Sequence, residues 1–253
     1  MTRRLEFDFE WRITLFTLLM LPLLISLGFW QMQRAEDKRS LAMAYESQQA
    51  RAPAPASVLR EEPAAALAYR PIELHGSYRP GEYFLLDNRM WQGKYGNQVV
   101  AVFDLVDGGT ALVNRGWVPA DPSRQRATEV PEVGGEVRIT GHVYVAPGDP
   151  YLLADETLAA GWPKQIQAVE MDKIAVALGQ QGQDLFPYPV RIDAGQAGTL
   201  AVDWQVINVS PEKHIGYAVQ WFTMAAVLAL IYLLRSSNIW ALLRGSRSGK
   251  SDL

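Results

Sequence analysis

The stretch Leu15-Phe16-Thr17-Leu18-Leu19-Met20-Leu21-Pro22-Leu23-Leu24-Ile25-Ser26-Leu27-Gly28-Phe29-Trp30 decides the architecture of this 253-residue chain. It lies within 21 residues, Ile13 to Gln33, that carry no charge, and a helix of about 20 apolar residues crosses the roughly 30 Å hydrocarbon core of a bilayer. Working outward, a second uncharged run of 20 residues, Ile215 to Leu234, passes through Ala225-Ala226-Val227-Leu228-Ala229-Leu230-Ile231 and stops at Arg235. A cleaved signal peptide competes for the first run, because Arg3, Arg4 and Arg12 precede it and Ala42-x-Ala44 follows. Its length exceeds an h-region of about 7–15 residues, and the Ala-x-Ala lies beyond a charged stretch, so the run is read as an anchor.

Charge sets the expected sidedness. Arg235, Arg244, Arg247 and Lys250 follow the second run and only Lys213 stands just before it, which places the C-terminus in the cytoplasm. Around the first run Arg3, Arg4 and Arg12 balance Arg34, Lys38 and Arg39, but two spans return the N-terminus to the same side. The loop between them holds 17 basic and 23 acidic residues, against 7 and 4 in the tails. The net charge of −3 supplies no basic field for nucleic acid, so none is expected as a partner. The lipid bilayer is.

The expected divisions are a cytoplasmic tail 1–12, a transmembrane helix 13–33, an outer helical extension with an Ala/Pro linker 34–66, a periplasmic β-rich domain 67–212, a second transmembrane helix 213–234 and a cytoplasmic basic tail 235–253. Within the linker, Ala52 to Ala66 reads as a semi-rigid tether. Beyond it, β-type runs separated by Gly, Pro and Asp occur at Tyr69–Ser77, Glu82–Met90, Asn97–Val106, Thr110–Val118, Glu136–Val145, Tyr188–Ile192 and Val202–Asn208. Val137, Ile139, Gly141, Val143 and Val145 alternate with Arg138, Thr140, His142 and Tyr144. One helix, Met171 to Leu178, is expected to cover an opening of the sheet. No internal repeat and no heptads are visible. The fold class is thus α+β: a membrane protein with two transmembrane helices flanking an extracytoplasmic β-rich domain, antiparallel and barrel- or sandwich-like, with about one helix.

Much chemistry is absent. With no cysteine there are no disulfides, Cys-type zinc sites, iron–sulfur clusters or Cys-x-x-Cys copper relays. His-Glu-x-x-His, Gly-x-Ser-x-Gly and Gly-x-Gly-x-x-Gly do not occur, and no nucleophile, base and orienting group recur at a recognisable spacing, so no enzyme is expected. The tail Gly245-Ser246-Arg247-Ser248-Gly249-Lys250-Ser251 has three residues between its glycines where a phosphate loop needs four. Asn208-Val209-Ser210 is a fortuitous sequon if the host is a bacterium.

Of three histidines, His75 and His142 sit in β-type runs, where a hydrogen-bonded structural role competes with copper binding. His214 stands at the entry to the second span. A helix from it aligns Tyr217, Ala218, Trp221 and Ala225 near its own face, which serves either an interfacial cap in an aromatic belt or a ligand role. Trp30-Gln31 ends the first span and Gln220-Trp221 lies about two turns into the second. Either the glutamines bond between the helices, with Ala225 and Ala229 as a small-residue contact, or they line a lipid-open slot for a flat apolar cofactor. Haem suits such a slot, since imidazole suits iron and the porphyrin face is apolar.

These residues also carry a family resemblance. Leu27-Gly28-Phe29-Trp30-Gln31-x-x-Arg34 with Lys38, Gly76-Ser77-Tyr78, Asn88-Arg89 with Gly93 and Gly96, Val113-Asn114-Arg115-Gly116-Trp117-Val118-Pro119, and Asn208-Val209-Ser210-Pro211-Glu212-Lys213-His214-Ile215-Gly216-Tyr217-Ala218-Val219-Gln220-Trp221-Phe222 together resemble the Surfeit locus protein 1 family. Positions from about Gly148 to Gly198 match no quoted pattern. The resemblance implies a chaperone of the inner membrane that assists assembly of haem–copper cytochrome c oxidase, complex IV of the respiratory chain, by binding haem a transiently. It implies oxidase subunit 1 as partner, with haem a synthase as a second candidate, and His214 as the axial ligand of haem iron.

Tyr217, Gln220, Trp221, Trp30, Gln31, Arg34 and Arg115 complete the expected cofactor-binding set. Arg89 and Arg115 are candidate anchors for propionates or for a partner's carboxylates. Against that, Asn114-Arg115-Gly116-Trp117 reads as a strand end entering a tight turn, with Gly116 supplying backbone freedom, Pro119 closing the turn and Trp117 packing on the sheet. Two other functions compete: a scaffold that grips an oxidase assembly intermediate without touching haem, and a module using a pocket of the β domain.

Overall fold

A computed structural model describes residues 7–123, 125–146, 148, 158, 160–179, 184–204 and 210–239. Arg3, Arg4, the stretch Gln205–Val209 and the tail beyond Ile239, all invoked above, lie outside the described residues. In chain order the elements are α1 (Trp11–Gln49), β1 (Ala54–Pro55), α2 (Ala56–Leu59), α3 (Ala64–Leu67), β2 (Pro71–Trp91), β3 (Lys94–Leu105), β4 (Thr110–Pro119), β5 (Val137–Val143), β6 (Lys164–Ile166), α4 (Met171–Ala177), β7 (Val190–Ile192) and α5 (Pro211–Arg235). They fall into two compact units, Met1–Met43 with Val206–Leu253, and Ala44–Gln205.

The first unit is an antiparallel helix pair. Pro211 starts α5, where its missing N–H costs nothing, with Glu212 in the first turn and Arg235 in the last, as the helix dipole favours. On α1 the less exposed residues include an unbroken line: Thr14, Thr17, Leu21, Leu24, Gly28, Gln31, Ala35 and Lys38. The steps alternate three and four. His214, Ala218, Trp221, Ala225, Leu228 and Tyr232 form the same line on α5, so both helices carry the heptad spacing of a coiled-coil seam. The seam is closed by Thr14 Oγ1 and Tyr232 Oη at 3.1 Å and by the Phe29 and Phe222 rings at 5.3 Å, edge to face. Phe222 also fills the space beside Gly28, where a Cβ would stand 2.6 Å from its ring.

The outward faces are apolar. Leu15, Leu18, Leu19, Leu23 and Phe29 on α1, and Val219, Val227, Leu230 and Ile231 on α5, are exposed. Only 17% and 11% of the two most apolar windows are buried, which is unlike the core helix of a soluble protein and fits two membrane-spanning helices, one near each terminus.

The second unit is sheet-rich. β2 pairs antiparallel with β3, and β3 with β4; β4 pairs parallel with β7, which pairs antiparallel with β5, and β5 returns to β2. The pairings therefore form a circuit. β1 and β6 add to β2 in parallel, so the sheet is mixed and not antiparallel throughout. Inside the circuit Ile72, Leu74, Phe103, Val113, Ile139, Val190 and Ile192 form the main core. On the opposite face Phe84, Leu86, Val100, Val102 and Leu112 pack with Ile174 of α4. The helix thus lies on a sheet face and does not cover an opening. Because β3 and β4 are covered on both sides, their apolar residues run on without alternating.

Three further expectations change. The Ala/Pro stretch is no tether: Ala54–Pro55 pairs with Ile72 and Glu73, and Ala56, Leu59 and Leu67 enter the main core. Among the described residues the unit accordingly holds three helices, α2, α3 and α4, where one was expected. From Pro71 on, the expected run Tyr69–Ser77 and the run Glu82–Met90 belong to a single strand, whose register slips between Tyr78 and Tyr83, where Arg79 grips Asp104 through Nε at 2.7 Å and Nη2 at 2.8 Å. Finally, Asn114-Arg115-Gly116-Trp117 is a bulge within β4 and not a turn. Val99 faces Gly116 while Val100 faces Asn114, leaving Arg115 as the extra residue. The next strand residues stay paired through Pro119.

Gly116 has φ +109° and a Cβ there would meet the Ala201 carbonyl at 2.5 Å. Gly116→Ala is therefore expected to destabilise the domain by about 3 kcal/mol, about 10 °C in Tm; a melt within about 2 °C of wild type would contradict this. In the helix pair, Gly28→Leu should widen the spacing by about 2 Å, within the 8–10 Å range that side-chain size sets. As the chain has no cysteine, spin labels introduced at exposed Met32 and Tyr217 report that distance directly, and an unchanged value would refute the contact.

Candidate functional site

His214 faces Gln31 across the helix seam, with Nδ1 2.8 Å from Oε1. Their places follow from the heptad spacing, which puts Gln31 three residues beyond Gly28 and His214 four residues before Ala218. Opposite an amide oxygen Nδ1 donates, and in the neutral tautomer that this bond selects the lone pair resides on Nε2. Among the described residues Nε2 has no hydrogen-bond partner. Histidines that ligate metals are held in this way, one ring nitrogen fixed by an acceptor while the other binds.

The remaining predicted residues divide. Trp221 lies on the seam one heptad beyond His214, near buried Ala218 and Ala225, whereas Tyr217, Gln220 and Trp30 are exposed. Gln31 and Gln220 are thus not equivalent, since only Gln31 meets the other helix. Arg34 sits 5.7 Å over the Trp30 ring and 3.6 Å from Asp37, all near the surface, where such pairs contribute little.

Arg115 belongs to the β domain and is 4% exposed. Its Nε donates to the Gly198 carbonyl at 2.7 Å and its Nη2 to the Pro131 carbonyl at 2.8 Å, and the guanidinium lies 5.1 Å over the Tyr78 ring. Burial pulls its pKa below the ordinary arginine value and pushes the Tyr78 phenol up to about 12, keeping that hydroxyl a neutral donor to Ala197 O at 3.0 Å. Trp117 packs as expected, stacking on Trp91 at 6.3 Å and donating Nε1 to Arg89 O at 2.8 Å.

The other histidines each have a carboxylate. His75 pairs with Glu136, and His142 Nδ1 with Asp193 at 3.0 Å, where Thr140 also bonds the carboxylate. Burial tends to raise the Asp193 pKa, but the bonds from His142 and Thr140 prevail and hold it below the usual carboxylate value. Register separates the two imidazoles: His142 faces Pro71 on β2, four residues from His75, or about 13 Å along the strand. One copper ion cannot span them, and no group of three His, Asp or Glu suited to a metal occurs among the described residues.

Sequence reasoning coupled Arg89 to Arg115; in the structure Arg89 shares a cleft with Arg191. The signal for Arg191 was a lone charge between two buried residues in Val190-Arg191-Ile192.

Known proteins resemble this chain over nearly its whole length. A SURF1-like protein of Rickettsia felis is 25% identical over 237 residues, covering 90% of this chain and 98% of its own. A SURF1-like protein of Monosiga brevicollis is 26% identical over 241 residues, covering 88% and 85%. The Surfeit locus protein 1 of Homo sapiens is 24% identical over 238 residues, covering 85% and 75%. The SURF1 family model matches residues 18–226, from within the first apolar helix to within the second, and this chain belongs to the SURF1 family.

Proposed function

We propose that this protein is a non-enzymatic haem a chaperone for the assembly of haem–copper cytochrome c oxidase, with His214 as the axial ligand of the iron. One observation carries the reading: Gln31 holds His214 Nδ1 at 2.8 Å and leaves Nε2 uncommitted. That donor set fits haem, which would supply an iron centre for a neutral imidazole and carboxylates for nearby cations. Exposed Trp30 and Tyr217 offer aromatic surface beside the histidine, and Arg34 offers a cation. Gln220 remains in the proposed set, with Trp221 below His214 on the same helix. Arg115 is retained only as a support of the β domain, because its donors already serve backbone carbonyls.

Under this reading the protein spans the bacterial inner membrane twice, with both termini cytoplasmic and a periplasmic domain whose strand circuit is a small barrel. Basic residues after the second span support that orientation. Oxidase subunit 1 would receive the haem, with haem a synthase a candidate source.

A scaffold that binds no haem has one observation in its favour. Phe222 fills the space beside Gly28, so the helix pair is closed along the seam, and haem would have to sit against its flank.

Full-length protein purified in mild detergent from cells that make haem a separates the two readings by its reduced-minus-oxidised spectrum. A haem a band is expected in the wild type, absent from folded His214→Ala, and bound about 10–100-fold more weakly in Gln31→Ala. A band that persists in His214→Ala sinks the axial assignment. A well-folded wild type without haem that still co-purifies oxidase subunits establishes the scaffold instead.

A further inference from the structure

We propose that the β domain holds a separate ligand site, a cleft of about 460 Å³ in which Arg89 and Arg191 receive the carboxylate of a small, otherwise apolar molecule. Arg89 enters the cleft from β2 just past a register shift between Leu86 and Arg89, next to Asn88 at φ +56°. Such bulges re-aim side chains. Arg191 enters from β7, where buried Val190 and Ile192 occupy the core face and alternation turns the residue between them to the other side. Its guanidinium is stacked 3.6 Å from the Tyr144 ring and 5.0 Å from the Trp204 ring. Trp204 is itself fixed by a bond from Nε1 to Ile192 O at 2.7 Å.

The two guanidiniums lack what Arg115 has. Among the described residues neither Arg89 nor Arg191 has a carboxylate within 4.0 Å, and the Nε of each is buried with no hydrogen-bond partner. A buried charged donor left unsatisfied is a net cost, and here two occur in one cleft wall. Burial pulls the Arg191 pKa down and the charge of Arg89 adds to this, while the Tyr144 and Tyr69 side chains oppose it, Tyr144 also through a hydrogen bond. A carboxylate in the cleft would set an opposite charge beside both guanidiniums, whose planar fork it matches. The rest of the cleft selects the body of the ligand: Leu86, Val169, Met171 and Pro187 line it together with the Tyr188 ring. Small-molecule sites occupy roughly 300–1,000 Å³, mostly apolar with a few placed polar groups.

The test uses full-length protein in detergent, titrated calorimetrically with 1-naphthaleneacetate, its uncharged amide, and inorganic phosphate. Naphthaleneacetate is expected to bind, with the amide and phosphate each at least tenfold weaker. Arg89→Gln and Arg191→Gln should each weaken the acid at least tenfold while leaving the amide unaffected. Removing Arg191 from its stack can disturb folding, so Val169→Trp, which fills the cleft without touching either arginine, should abolish binding of the acid. The proposal is overturned if the acid does not bind the wild type, if the amide binds equally well, if phosphate binds as tightly, or if folded Arg89→Gln or Val169→Trp binds the acid unchanged.

Discussion

The β domain is organised around one buried charge. Arg115 leaves the β4 register at a bulge, and its guanidinium must find acceptors away from water; it takes the carbonyls of Gly198 and Pro131. Two loops are thereby drawn to one strand. Trp117 and Leu200 add backbone bonds, Trp117 N to Ala201 O and Leu200 N to Arg115 O, so the Gln196–Ala201 segment runs along β4 without being a strand. An uncharged residue at this position would leave those carbonyls without donors, and a lysine could not reach two acceptors with a planar fork. A bulge that looks like an interruption of the sheet is thus where the loops are tied to it.

A different constraint governs the helix pair. Lipid is as apolar as leucine, so helices in it do not gain from burying leucine against leucine; close packing and polar contacts hold them together. The seam reflects this in Gly28, Ala35, Ala218 and Ala225, with Gln31–His214 and Thr14–Tyr232 as polar pairs across it. The imidazole proposed as the iron ligand is therefore also a tie between the helices through its bond to Gln31.

This double use explains what was legible in the sequence. The two helices were, since an uncharged run of 20 residues has few other readings. His214 and Gln31 were each singled out, but their partnership was not, because the heptad spacing is written mostly in Thr, Gly, Ala and Gln, with leucine at only Leu21, Leu24 and Leu228 of the seam while many more leucines face outward. The central strands announced themselves through β-branched runs such as Val99-Val100-Ala101-Val102-Phe103. Strand β6, only Lys164-Gln165-Ile166, has no pattern of its own and exists because β2 offers it an edge. Similarly, Ala54–Pro55 and the short helices after it read as linker composition; tertiary packing alone makes them part of the core. Asn114-Arg115-Gly116-Trp117 misled because a glycine at positive φ serves a bulge as well as a turn, and only the pairing of β3 tells them apart. Arg191 carried a local signal, yet its meeting with Arg89 depends on a pairing between β4 and β7 that lie far apart in the chain.

The closing of the strand circuit has a consequence in time. β2, β3 and β4 are neighbours in sequence and pair by short reversals, whereas β7 reaches β4 across more than 70 residues and touches it only at Val190 and Arg191. Local pairings form before distant ones, since shorter loops are easier to close. As the chain emerges, the three-stranded meander can assemble early, but the edges of β4 and β5 stay open until Ile192 has been synthesised. Between the synthesis of Val143 and that of Ile192 a nascent domain of this topology carries two exposed strand edges, the stage at which it is most vulnerable to pairing with the wrong chain.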